Sequence, residues 1–136
     1  MSLEICTSCE CGAITFISAE QPVVQICCHC NDCRDATQND YSNIAFFKLK
    51  STQLLGDTQS KTYKADSGNA TNRESCTRCG SVMFDKSVGF PGLIGVFSHQ
   101  IQPPFSAKVD SHVWVQSKSP NTIISAEVAA YEKGLT

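Results

Sequence analysis

Nine cysteines gathered into three clusters constrain this 136-residue chain more than any other feature. They stand at Cys6, Cys9 and Cys11, at Cys27, Cys28, Cys30 and Cys33, and at Cys76 and Cys79. Long spacers separate the clusters, and within them the thiols repeat as C-x-C, C-x-C-x-x-C and C-x-x-C. Each of these spacings can bring neighbouring sulfurs onto one ion. The opening residues lack the basic and apolar regions of a secretory signal. No apolar run approaches the roughly 18 residues of a membrane span, so the sequence reads as cytoplasmic. Thiols stay reduced in that compartment, where a cysteine pattern suggests metal or catalysis more than disulfides.

The length and the 41% hydrophobic content suit one core, and residues 1–136 read as a single domain. A net charge of -2 with scattered Lys and Arg gives no electrostatic footprint for nucleic acid or an anionic membrane, so neither is an expected partner. Strands are predicted at Ala13 to Ile17, Val23 to Cys28, Asn43 to Leu49, Lys61 to Ala65, Ser81 to Phe84, Leu93 to Phe97 and His112 to Gln116. Helix is expected only as one turn over Asp35 to Asn39 and as a short amphipathic segment over Ser125 to Glu132, packed on the sheet through Val128 and Tyr131. Turn-favouring residues at Asp66-Ser67-Gly68-Asn69 predict a surface loop. The expected fold class is mainly β, with at most short helices.

Cys9, Cys11, Cys76 and Cys79 form an early pair and a late pair, each followed directly by a glycine, Gly12 and Gly80. A residue free to take positive φ lets the backbone curl around sulfurs turned toward one metal, which is a zinc knuckle. Four thiolates saturate a tetrahedral ion, so this site is read as structural. Structural zinc contributes on the order of 10 to 16 kcal/mol of apparent binding free energy in small peptides, comparable to the stability of a whole domain. The spacing of Cys6 and Cys9 also allows that pair to join Cys76 and Cys79, leaving Cys11 spare. Otherwise Cys6 and Cys27 read as buried thiols acting as small hydrophobes.

The middle cluster, Cys28-His29-Cys30-Asn31-Asp32-Cys33-Arg34, offers three spaced thiols and no second pair to complete them. Alternate residues of an extended segment share a face, so Cys28 and Cys30 point together and the following turn returns Cys33 to them. Three protein ligands with a vacant fourth position are the usual arrangement of a catalytic zinc. His29 or Cys27 as a fourth ligand is the alternative, though adjacent strand residues point to opposite faces. Zn²⁺ with three thiolates carries a net charge of -1 and polarises a carbonyl poorly. It suits a soft thiol guest, which coordination deprotonates while leaving it nucleophilic. His29, Asp32 and Arg34 are the nearby polar candidates. Arg34 is the preferred one, as a donor to sulfur or a clamp for a substrate carboxylate.

Ser8-Cys9-Glu10-Cys11-Gly12-Ala13-Ile14-Thr15-Phe16, Cys28-His29-Cys30-Asn31-Asp32-Cys33-Arg34 and Cys76-Thr77-Arg78-Cys79-Gly80, in this order, resemble the glutathione-dependent formaldehyde-activating family, which includes the centromere protein V type of domain. The resemblance implies coiled antiparallel sheets built on zinc knuckles. It implies a structural zinc on Cys9, Cys11, Cys76 and Cys79, choosing Cys11 over Cys6, and a catalytic zinc on Cys28, Cys30 and Cys33. It implies a carbon-sulfur lyase in which glutathione or another small thiol adds to formaldehyde or a related aldehyde, as in S-(hydroxymethyl)glutathione synthesis. The chain departs from the family pattern at Thr7, Gln38 and Ser75, none of them a ligand, at Gly95 to His99, where many relatives carry an acidic turn, and at Asn121, where a tryptophan is common. A non-catalytic, zinc-stabilised interaction module is the reading of a different class, with Gln38 and Asn121 as marks of a decayed site.

Overall fold

In the computed structural model, which describes residues 4–31, 34–35, 38–64, 70–87, 90–103 and 105–133, strands make up just under half of the described residues. They are β1 (Ile5–Ser8), β2 (Thr15–Ser18), β3 (Val24–Cys28), β4 (Ser42–Lys48), β5 (Thr52–Leu55), β6 (Thr58–Lys64), β7 (Ala70–Cys76), β8 (Val82–Ser87), β9 (Leu93–Phe97), β10 (Ser111–Val113) and β11 (Ala129–Ala130). Single 3-10 turns occur at Leu49–Ser51, Ser98–Gln100 and Val115–Ser117. Arg34 and Asp35 are helical, with the Arg34 N–H donating to the Cys30 carbonyl at 3.1 Å. The fold is mainly β, and no helix among the described residues is long and apolar enough to cross a membrane.

β1, β2 and β5 form a small antiparallel sheet, and the other eight strands form a large one in the order β11-β10-β3-β4-β9-β8-β7-β6. Its pairings are antiparallel except where β10 lies parallel to both β3 and β11.

Side chains alternate across a strand, and β4 and β9 divide the interior by that rule. Ala45, Phe47, Ile94 and Val96 face the small sheet and pack with its Ile5 and Phe16 and with Ile14. The Phe16 ring meets those of Phe47 and Phe84 at centroid distances of 5.5 Å. Ile44, Phe46 and Phe97 face the opposite way, beside Ile26, Cys28, Cys30 and Val113. Gly95 lies in register with Phe46 and Asp85, where a Cβ would stand 2.9 Å from Ile44 Cγ2 and 3.0 Å from Phe46 Cε1. Only a residue without a side chain leaves room there for Ile44 and the Phe46 ring.

The strands expected around β2, β3, β4, β6, β8 and β9 form within a few residues of their predicted bounds. The strand expected over His112 to Gln116 stops at Val113, because Trp114 takes a left-handed conformation and a 3-10 turn follows. The helix expected over Ser125 to Glu132 is corrected to a turn followed by β11. Its backbone groups go to the edge of β10: Tyr131 N–H donates to the His112 carbonyl at 2.9 Å and Val115 N–H to the Tyr131 carbonyl at 3.1 Å. An open sheet edge satisfies this segment better than a lone helical turn does. The predicted loop at 66–69 lies outside the described residues, as do Ala36 and Thr37 of the turn expected near Asp35.

Candidate metal centre

Two hairpin ends of the same design meet at one point. β1 runs into Cys9 and turns through Gly12 into β2; β7 ends at Cys76 and turns through Gly80 into β8. In each, the glycine N–H donates to the first cysteine's carbonyl at 3.0 Å, and each glycine has φ of +77°. The first cysteine's N–H closes the turn, Cys9 on the Ile14 carbonyl at 3.3 Å and Cys76 on the Ser81 carbonyl at 2.9 Å. This curls the backbone so that its amides face sulfur. Ile14 N–H donates to Cys9 Sγ at 3.3 Å, and Arg78 and Cys79 N–H donate to Cys76 Sγ at 3.3 and 3.5 Å.

The sulfurs of Cys9, Cys11, Cys76 and Cys79 all lie within 4.8 Å of one another. Four sulfurs around a tetrahedral ion at about 2.3 Å are about 3.8 Å apart. Cys9 and Cys11 are 3.5 Å apart and Cys11 and Cys76 3.6 Å, so the donor set fits a soft divalent ion. Cys6 is not in the group.

The thiols titrate unequally. Burial pushes Cys9 up, but the Ile14 N–H and its sulfur neighbours outweigh it and its pKa is lowered. The Ser81 hydroxyl and N–H hold Cys79 down at about 6. Cys11 gains from the Ala13 N–H, yet lost hydration and three neighbouring sulfurs push it up to about 11. Four thiolates here repel one another, and a cation is what lets all of them ionise together.

Cys28 and Cys30 of the middle cluster lie on the other face of the large sheet. Cys28 and Cys30 are both buried, with sulfurs 3.4 Å apart, in the apolar cluster that contains Phe46, Phe97 and Trp114. Cys33 and Asp32 lie outside the described residues. Cys27 faces away, its sulfur accepting from Asn43 Nδ2 at 3.5 Å, and burial raises its pKa. His29 is fully buried and turns to His112, whose Nδ1 is 2.9 Å from His29 Nε2, with the Tyr41 ring 5.1 Å away. His29 Nδ1 has no hydrogen-bond partner among the described residues. Burial first, then His112, Lys118 and Arg34, lower its pKa to about 4 against a smaller pull from Asp40. Arg34 donates through Nη1 to the Ser117 carbonyl at 2.7 Å.

Sequence reasoning missed the polar residues around this face. Arg73, half-buried, and Asp85, buried, in register on β7 and β8, form an ion pair at 3.0 Å, and the guanidinium lies over the Phe97 ring at 5.8 Å. Burial raises the Asp85 pKa, Arg73 opposes this, and the charge of nearby Cys30 adds to the rise. His112, Lys118 and Arg73 reach the site from far along the chain, and no local spacing marks them.

A family model described as glutathione-dependent formaldehyde-activating enzyme matches residues 4–117. A crystal structure of a Rhodobacter sphaeroides protein superimposes with a TM-score of 0.56 at 18% identity, covering 74% of this chain and 90% of that one. At that identity the likeness speaks for the fold alone. No curated protein matches the chain.

Proposed function

Because the chain belongs to the glutathione-dependent formaldehyde-activating enzyme family, we propose that it is a zinc-dependent carbon-sulfur lyase joining glutathione, or a similar small thiol, to formaldehyde. The thiol sulfur bonds to the carbonyl carbon, the thiol proton ends on the carbonyl oxygen, and an S-hydroxymethyl adduct results with no change of redox state. Two zinc ions fit this reading, one braced by Cys9, Cys11, Cys76 and Cys79 and one held by Cys28, Cys30 and Cys33. The second ion, when bound, supplies a position at which an incoming thiol loses its proton readily.

The chain's own residues supply the rest. The paired sulfurs of Cys28 and Cys30 at the end of β3 are the observation that carries the reading: two soft donors 3.4 Å apart, buried among apolar side chains and separate from the four-cysteine group. The apolar wall of Phe46, Phe97 and Trp114 keeps water from competing with a thiol. Arg34, held by the Ser117 carbonyl, is placed to clamp a carboxylate of the thiol substrate. His29, locked to His112, fixes the segment between the two cysteines.

Exchange spectroscopy by NMR on formaldehyde, glutathione and their adduct tests the reaction. Wild-type protein accelerates exchange over buffer and Cys28→Ser does not. No acceleration by zinc-loaded wild type removes the reaction and leaves a zinc-braced interaction module.

A further inference from the structure

Trp114 has φ 59° and ψ 36°, a left-handed conformation that is strained for a residue with a side chain. It sits in the apolar cluster with Cys28 and Cys30, and it starts the 3-10 turn of Val115–Ser117. The turn is fixed at both ends. Trp114 N–H donates to the Lys133 carbonyl at 3.1 Å, Ser117 N–H to the Trp114 carbonyl at 3.0 Å and Lys118 N–H to the Val115 carbonyl at 3.1 Å. This strained loop therefore brings the Ser117 carbonyl to Arg34 and puts Lys118 next to it in the chain.

Lys118 Nζ donates to the Ser119 and Thr122 carbonyls at 3.4 and 3.2 Å. Arg34 and Lys118 are both half-buried, and among the described residues neither meets a carboxylate. Among the described residues the ion pairs are Arg73 with Asp85 and Lys86 with Glu74. Carbonyl partners orient a cation without neutralising it, and a guanidinium with one donor engaged keeps four others. The Arg34 N–H donates to the Cys30 carbonyl at 3.1 Å and its guanidinium to the Ser117 carbonyl at 2.7 Å, which sets Arg34, and Lys118 next to Ser117, beside the second cysteine face. Asp40 lies beyond ion-pair distance of either cation.

We propose that Arg34 and Lys118 form an anion subsite that takes a carboxylate of a peptide thiol, making Lys118 a specificity-determining residue of this face. The proposal rests on the reading that the second cysteine face binds a glutathione-like thiol. It selects thiols carrying carboxylates over small neutral thiols.

The test uses S-methylglutathione, which cannot react, its dimethyl ester, and the fluorescence of Trp114, the sole tryptophan, as the binding signal on the zinc-loaded full chain. The free acid is expected to bind about tenfold more tightly than the ester. Lys118→Met weakens the acid by a similar factor and leaves the ester unchanged, while Lys118→Arg restores the preference. Equal affinity of wild type for acid and ester overturns the subsite, as does the absence of binding at millimolar acid. The ester comparison needs no variant, so a misfolded Lys118→Met does not blunt it. Charge-selective binding without catalysed exchange sinks the proposed reaction and keeps the subsite. Catalysed exchange with the same KM for glutathione and 2-mercaptoethanol, unmoved by Lys118→Met, does the reverse.

Discussion

Gly56 joins β5 of the small sheet to β6 of the large one, and replacing it with alanine is predicted to damage the four-cysteine group from outside. Its φ of +110° lies beyond the left-handed well that other residues occasionally visit. An added Cβ would stand 2.3 Å from the Ala13 carbonyl oxygen, 3.1 Å from its carbon and 3.0 Å from Ile14 Cα. These are backbone atoms, which cannot rotate away, and a normal contact requires a retreat of roughly 1 Å. Backbone strain contributes about 1 to 3 kcal/mol and overpacking about the same, so Gly56→Ala should cost about 2 to 6 kcal/mol. Ile14 also exchanges hydrogen bonds with Cys9, one of them to its sulfur, so the retreat reaches the four-cysteine group. Gly12→Ala is the control: its φ is +77° with nothing within 4 Å of an added Cβ, so it should cost only about 1 to 2 kcal/mol. Urea unfolding of the zinc-loaded proteins measures the difference, and titration with Co²⁺ follows the thiolate bands of the cluster. Equal costs for the two variants, or a Gly56→Ala protein within 1 kcal/mol of wild type with unchanged cobalt affinity, would refute the reasoning.

Cys76→Ser should unfold much of the chain, whereas Cys28→Ser should stay folded with one zinc fewer; circular dichroism with elemental analysis distinguishes them, and equal loss of structure in both contradicts the assignment. Arg73→Met strands the buried Asp85 carboxylate and should cost about 3 kcal/mol or more, most of it recovered in the double variant with Asp85→Leu. A double variant as unstable as the single one, by urea unfolding, contradicts this. All three histidines have lowered folded-state pKa values, with burial the leading cause. Below about pH 6.5 the unfolded chain therefore binds protons that the folded one refuses, and stability falls with pH at up to about 1.4 kcal/mol per unit for each histidine. Chemical denaturation between pH 7.5 and 5 checks the sign, and stability that is flat or rising on acidification defeats it.

The knuckles were legible because local spacing carries them: a thiol pair followed by glycine says much the same thing at Cys9 and at Cys76. β4 and β9 were legible because they are apolar on both faces, as strands buried between two layers must be. β7 was not, since its inward positions include Thr71, Arg73 and Glu74, whose burial depends on partners such as Asp85 and Thr58. The C-terminal segment was misread because the spacing of Val128 and Tyr131 suits a helix, while the edge it completes on β10 is set by pairing with β3, a hundred residues earlier in rough terms. His112 and Lys118 escaped for the same reason, since only the parallel placement of β10 brings them to the middle cluster.

Neighbouring residues of β4 look into different rooms: Ala45 and Phe47 into the one with the four-cysteine group, Ile44 and Phe46 into the one with Cys28 and Cys30. The shared wall is backbone, held by hydrogen bonds that do not depend on which side chains hang from it. Substitutions on one side can therefore accumulate without disturbing the other. A chain organised like this can remodel the room around Cys28 and Cys30 by altering alternate positions alone, while the four-cysteine group stays as it was.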